Sequence, residues 1–132
     1  MSDLAHYPRS PVIHVKEMKR FPDAVYVGRP MPRQRLAGSI LANPFKIDRH
    51  RNRQEAVSTY AVSLSYRIEA GERDIIEAVI ACRDRPMACW CRTSTEDRRA
   101  DNWCHADVIN DWLEFYTDDE LRAKIPRQDV AA

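Results

Sequence analysis

Three cysteines and a histidine fall close together in the chain, as Cys89-Trp90-Cys91 and then Cys104-His105. On a strand, residues two apart share a face, so Cys89 and Cys91 are expected to present their sulfurs to one side and Trp90 to the other. If Cys104 and His105 open a helix that folds back, three sulfurs and an imidazole can converge. Three Cys and one His form a tetrahedral zinc set. The C-x-C…C-H spacing lacks the paired C-x-x-C knuckles of a strong zinc signature, and adjacent Cys104 and His105 would have to bend sharply to reach one metal. The helix offers a second chemistry. Its dipole and free N–H groups stabilise a thiolate, so Cys104 can be a nucleophile with His105 or His14 as its base. The same N-terminus can hold a phosphate, with His105 as contact or proton donor. The third reading is packing alone, because a free cysteine is also a small apolar core residue. The three readings stand side by side: a metal on Cys89, Cys91, Cys104 and His105; a site with Cys104 and His105 catalytic; or core. Cys82, among apolar neighbours on a helix, reads as core.

A second group follows a strand. Gly28 allows a turn or a close approach to a ligand, and Arg29 lies just past the strand end, where open α/β sheets bind ligands. The planar fork of arginine suits phosphate or carboxylate. Gly28, Arg29 and Asn43 therefore join Cys89 and Cys91 as ligand-binding candidates. Arg33 and Arg35 read as solvated, Asn43 can also shape the turn before Pro44, and Phe45 reads as a core anchor. A third group is the basic run 46–53, with Arg49, His50, Arg51 and Arg53 against Asp48. It can contact a nucleic-acid backbone, although such runs are more often solvated faces. Trp112 reads as core. Trp103, between a polar loop and Cys104-His105, is the odder tryptophan.

The elements that must position these residues follow from periodicity. Residues 1–11 have Pro8 and Pro11 and no pattern, which predicts a loose arm. Val12–Val15 and Ala24–Val27 read as strands, and 28–38 as a long loop of the kind that is often functional. Val57, Tyr60, Ala61, Leu64 and Ile68 mark one face of a helix from about Gln54 that ends near Gly71. A second helix is expected from Glu72 to about Arg83, a central strand over Met87–Cys91, a third helix from about Trp103 with Val108, Ile109, Trp112, Leu113 and Tyr116 inward, and a short last one over about Asp118–Lys124. Thr117 or Asp118 can cap that last helix. The order predicts a single small α/β domain over residues 12–125, a three- or four-stranded, mostly parallel or mixed sheet with packed helices, and a frayed tail at 126–132.

At 132 residues the chain suits one domain. A net charge of +1 argues against a uniformly basic nucleic-acid binder. That total hides an asymmetry. Residues 1–53 hold 11 Lys/Arg and 4 Asp/Glu, and residues 54–132 hold 10 and 16. A basic face toward an anionic partner is the consequence. No apolar run is long enough for a membrane span, and the N-terminus has no secretory pattern. A cytoplasmic setting is therefore expected, with the 4 cysteines as thiols or metal ligands rather than disulfides.

Taken together, Val25-Tyr26-Val27-Gly28-Arg29, Asn43-Pro44-Phe45, Cys89-Trp90-Cys91 and Cys104-His105 resemble the motifs of the bacterial and bacteriophage family called domain of unknown function 4326. The resemblance spans about residues 12–115. It departs at Ala42 and Ala106, where the family more often has Gly, at His14, where it often has Asn, and in a longer segment between Cys91 and Cys104. It implies a compact α/β domain and supplies no reaction. The leading expectation is a pocket for an anionic small molecule, a nucleotide or nucleoside derivative, built from Gly28, Arg29, Asn43, Cys89, Cys91, Cys104 and His105. A zinc-stapled interaction module and a nucleic-acid accessory protein using the basic half are the alternatives.

Overall fold

A computed structural model describes residues 7–99 and 102–127. Three short strands, β1 (Val12–His14), β2 (Val25–Tyr26) and β3 (Met87–Cys89), form one sheet in the order β1-β3-β2. Both pairings are parallel, with Val12 and Val25 flanking Met87 and with Ile13 and Tyr26 flanking Ala88. Parallel neighbours need long crossovers. Here α1 (Arg53–Glu69) and α2 (Arg73–Ile80) fill the crossover into β3, and α3 (His105–Phe115) and α4 (Asp118–Arg122) follow it. The chain is thus a small α/β domain with a three-stranded parallel sheet. All three strands end on the same side, so His14, the Val27-Gly28-Arg29 turn and the Trp90-Cys91 turn share one edge.

α1 starts at Asn52, whose side chain accepts from the Glu55 N–H while Glu55 accepts from the Asn52 N–H. This reciprocal cap satisfies two otherwise orphaned donors. Val57, Tyr60, Leu64 and Ile68 are its buried stripe, and α1 packs on α3. α2 turns Ile75, Ile76, Val79 and Ile80 inward against α3 and α4. Each such aliphatic side chain contributes about 1.5–3 kcal/mol when fully buried. Thr117 caps α4. Cys82 is core, and burial pushes its thiol up to about 12.

Several boundaries differ from the periodicity reading, each for a local reason. β1 stops at His14 because His14 caps a 3-10 helix over Val15–Arg20, its Nδ1 accepting from the Lys16 N–H. α2 ends at Ile80, and turns lead to Asp84 at φ 60°. β3 ends at Cys89, so Cys91 lies beyond the strand. α3 begins at His105, with Cys104 as its cap. Trp112 is half-buried and stacks on Tyr116 rather than filling the core centre. Of the arm expected over 1–11, residues 1–6 lie outside the described residues. The rest is docked on α3. Arg9 reaches Asp111 and Glu114 at 3.0 and 2.6 Å, and buried Ser10 exchanges bonds with Asn110. Of the tail expected over 126–132, residues 128–132 lie outside the described residues.

Candidate functional site

The strand ends, the 28–47 segment, the first turns of α1 and the start of α3 enclose a pocket of about 280 Å³. Gly28, Arg29, Asn43, Cys89, Cys91, Cys104 and His105 all line it, so the two constellations of the sequence meet in one place. Tyr26, Phe45 and Trp90 add aromatic walls, and Arg53 a second guanidinium. Among the described residues no carboxylate lines the pocket. His14 is not among the lining residues. Its ring packs edge-on against Trp90 at 5.5 Å, so it is not placed to serve as a base for Cys104.

Local bonds hold the rim. Arg29 Nε donates to the Asn43 carbonyl at 2.9 Å, and Asn43 Nδ2 donates to the Ala56 carbonyl of α1 at 3.3 Å. The Asn43 side chain also accepts from the Phe45 N–H, the turn that the Asn-Pro pair suggests. Tyr26 folds back over Gly28, donates to the Arg29 carbonyl at 2.6 Å and accepts from Trp90 Nε1 at 3.0 Å. Buried Tyr60 donates to the Leu41 carbonyl at 2.7 Å and presents its ring edge-on to His105.

The floor is sulfur. The Sγ atoms of Cys89, Cys91 and Cys104 all lie within 4.8 Å of one another, and Cys89 and Cys104 are 3.5 Å apart. These three close cysteines form a cluster that could hold a metal ion. His105, the fourth member of the sequence's metal set, is not part of it. Its Nε2 lies 2.7 Å from the Val27 carbonyl oxygen, which can only accept, so Nε2 carries the proton. Burial lowers the His105 pKa against the contrary pull of that carbonyl, which favours neutral imidazole. The cost of adjacency foreseen for Cys104 and His105 is met by division of labour. Cys104 faces the sulfurs, and His105 ties α3 to the end of β2.

Of the three thiols, Cys91 is the one shifted down and Cys89 and Cys104 are shifted up. Hydrogen bonds from Cys104 and Cys89 pull the Cys91 thiol below the usual range, with further help from Arg53, against burial. Cys104 moves up through its bonds to Cys89 and Cys91 and through burial. At Cys89 the contact with Cys104 pulls down, but the bond to Cys91 and burial outweigh it. One reading of the sequence made Cys104 a nucleophile because of the helix N-terminus. The Cys104 sulfur is a cap, accepting from the Ala106 N–H at 3.3 Å, and it is wholly buried, whereas Cys91 is half-buried.

Three features of the site were not read from the sequence. Arg53 was absorbed into the basic run 46–53, yet it turns into the pocket. Arg51 of the same run lies over the Phe45 ring at 5.3 Å. Arg92 and Asp107 form a buried, bidentate pair with both contacts at 2.6 Å, and Asp107 also accepts from the Cys104 N–H at 3.0 Å. The signal for Asp107 was present: an acidic residue three positions after a cap. Trp103 is half-buried beneath the Arg98 guanidinium, 5.4 Å from its ring centre.

Among the described residues no helix is long and apolar enough to cross a membrane. The profile of a protein family, described as a domain of unknown function (DUF4326), matches residues 12–115. No curated protein and no solved structure showed a significant match to the chain.

Proposed function

The chain belongs to the family described as a domain of unknown function (DUF4326), a description that carries no reaction, and from the site itself we propose that the pocket binds an anionic small molecule of the nucleotide class. The observation that carries this reading is the charge of the lining. Among the described residues, Arg29 and Arg53 are its charged side chains beside the thiols, with no carboxylate to oppose them. Tyr26, Phe45 and Trp90 supply flat apolar surface for a ring, and the guanidiniums supply charge-assisted bonds for a phosphate. Mostly apolar walls with a few convergent polar groups are the usual build of a small-molecule site. His105 and the Cys104 and Cys91 sulfurs, all of which line the pocket, are the groups available for proton transfer or attack on a bound ligand. Thermal-shift titration with nucleoside monophosphates tests the reading. Saturable stabilisation is expected, weakened about tenfold or more by Arg29→Ala. No stabilisation by any of them, with Arg29→Ala behaving as the native protein, overturns it.

A second reading rests on the sulfur cluster. Thiolates on one zinc, at Zn–S distances of about 2.3 Å, stand roughly 3.5–4 Å apart. The Cys89–Cys104 separation of 3.5 Å is already in that range, and all three sulfurs lie within 4.8 Å. Cys89, Cys91 and Cys104 would hold the ion and leave a fourth position toward the pocket, as in zinc sites that act on substrates. Metal analysis of protein purified without chelator decides it. About one zinc per chain, with melting lowered by chelation, is expected on this reading. A fully folded, metal-free protein removes it.

A further inference from the structure

A second cavity, of about 450 Å³, shares Arg29 with the first. The wall between them is the segment 42–47, and its residues alternate. Asn43, Phe45 and Ile47 line the first pocket, while Ala42, Pro44 and Lys46 line the second. Two bonds pin this wall to α1, from Tyr60 to the Leu41 carbonyl and from Asn43 to the Ala56 carbonyl. α1 runs past both cavities: Arg53, Ala56 and Val57 face the first, and Tyr60, Ser63, Leu64 and Arg67 face the second.

Arg29 lines both. The second cavity adds Lys46 and Arg67, with the hydroxyls of Ser39 and Ser63, and again no carboxylate among the described residues lines it. Arg67 does pair with Glu72 at 2.9 Å, but that pair is about half exposed and water-screened, a partner that a phosphate can outcompete. Three cations and two hydroxyls around a volume of this size, with Arg29 shared with a ring-sized pocket, describe a site for a chain of phosphates.

We propose that the two cavities bind one ligand in two parts: a ring in the thiol-floored pocket and a polyphosphate tail that crosses Arg29 into the cavity of Lys46 and Arg67. The inference rests on the anion-binding reading above and extends it from a nucleotide to a nucleoside polyphosphate.

Tail-only probes test it without a choice of ring. Calorimetric titration with inorganic phosphate, pyrophosphate and tripolyphosphate at fixed ionic strength is the measurement, since exposed charges respond to salt. Affinity is expected to rise about tenfold or more from phosphate to tripolyphosphate, as charge-assisted bonds are added. The pair Lys46→Ala with Arg67→Ala removes that gain. The pair Lys16→Ala with Lys19→Ala, which removes the same formal charge from the exposed side of the 3-10 helix, leaves it in place. Thermal melts of both pairs confirm folding. A tripolyphosphate that binds no tighter than phosphate overturns the proposal, as does a gain that survives in the Lys46/Arg67 pair or vanishes equally in the Lys16/Lys19 pair. Stabilisation by nucleoside monophosphates in those circumstances leaves the first pocket's reading standing alone, so the two failures are separable.

Discussion

Asp107→Ala is expected to cost about 3–5 kcal/mol, the range for breaking one partner out of a buried ion pair. Arg92 and Asp107 are 7% and 3% exposed at their side chains, and both guanidinium contacts are 2.6 Å. With Asp107 gone, the Arg92 cation stays buried with the Asn102 carbonyl, at 3.3 Å, as its described partner, and its Nε has none to begin with. The Cys104 N–H loses its acceptor as well. For a domain of this size the cost corresponds to a fall of about 10–20 °C in Tm, and it is a large share of the 5–15 kcal/mol typical of whole domains. Urea denaturation reads it directly. Arg92→Met combined with Asp107→Leu separates charge from packing. Because an apolar pair of similar volume is often tolerated where one ion is not, the double variant should recover stability lost by Asp107→Ala. A single variant that loses less than about 1 kcal/mol would show that the pair is solvated in solution. The effect reaches the site because the same carboxylate fixes the backbone of Cys104, whose sulfur is one third of the floor.

Why the sequence disclosed the pocket members but not their roles has a physical answer. Cys89, Cys91, Cys104 and His105 are uncommon residues in a short span, and Gly28 and Arg29 close a strand that periodicity exposes. Parallel strands then end together, which brings both groups to one edge. Roles depend on distances that no spacing encodes. Which of Cys91 and Cys104 is the more accessible thiol turns on which is half-buried and which is sealed at the start of α3. Whether His105 joins the sulfurs turns on the Val27 carbonyl 2.7 Å away, a partner 78 positions distant in the chain. Arg92 and Arg53 were hidden for a related reason: an arginine in a polar stretch reads as solvated until a fold closes over it. The three strands and the four α-helices were legible, the 3-10 helix over Val15–Arg20 was not, and ends shifted wherever a cap such as His14 or Cys104 took over the backbone.

Gly71→Ala and Gly28→Ala are expected to fail in opposite ways, although composition alone treats the chain's 3 glycines alike. Gly71 closes α1 with φ +75°, in the left-handed region that costs an L-residue roughly 1–2 kcal/mol. A Cβ there would also collide with the Lys124 carbonyl oxygen and with Pro126 Cδ. The first of these is backbone, so the C-terminal segment beyond α4 must move away, and a total of about 3 kcal/mol or more is expected, in the range of the larger single-site losses. Neither pocket is lined by Gly71, so the variant's remaining folded fraction should bind ligand as the native protein does. At Gly28 the added Cβ meets the Tyr26 ring and hydroxyl, the movable end of a side chain. Tyr26 must swing out and give up its bonds to the Arg29 carbonyl and Trp90, both exposed and worth about 1 kcal/mol in all. Stability therefore changes little, but an aromatic wall leaves the pocket and the backbone of Arg29 loses its tether. Melting temperature and nucleotide affinity measured on both variants resolve the contrast. Equal destabilisation by the two would show that Tyr26 is packed as rigidly as the Lys124 backbone, and unchanged affinity in Gly28→Ala would show that the Tyr26 wall takes no part in binding.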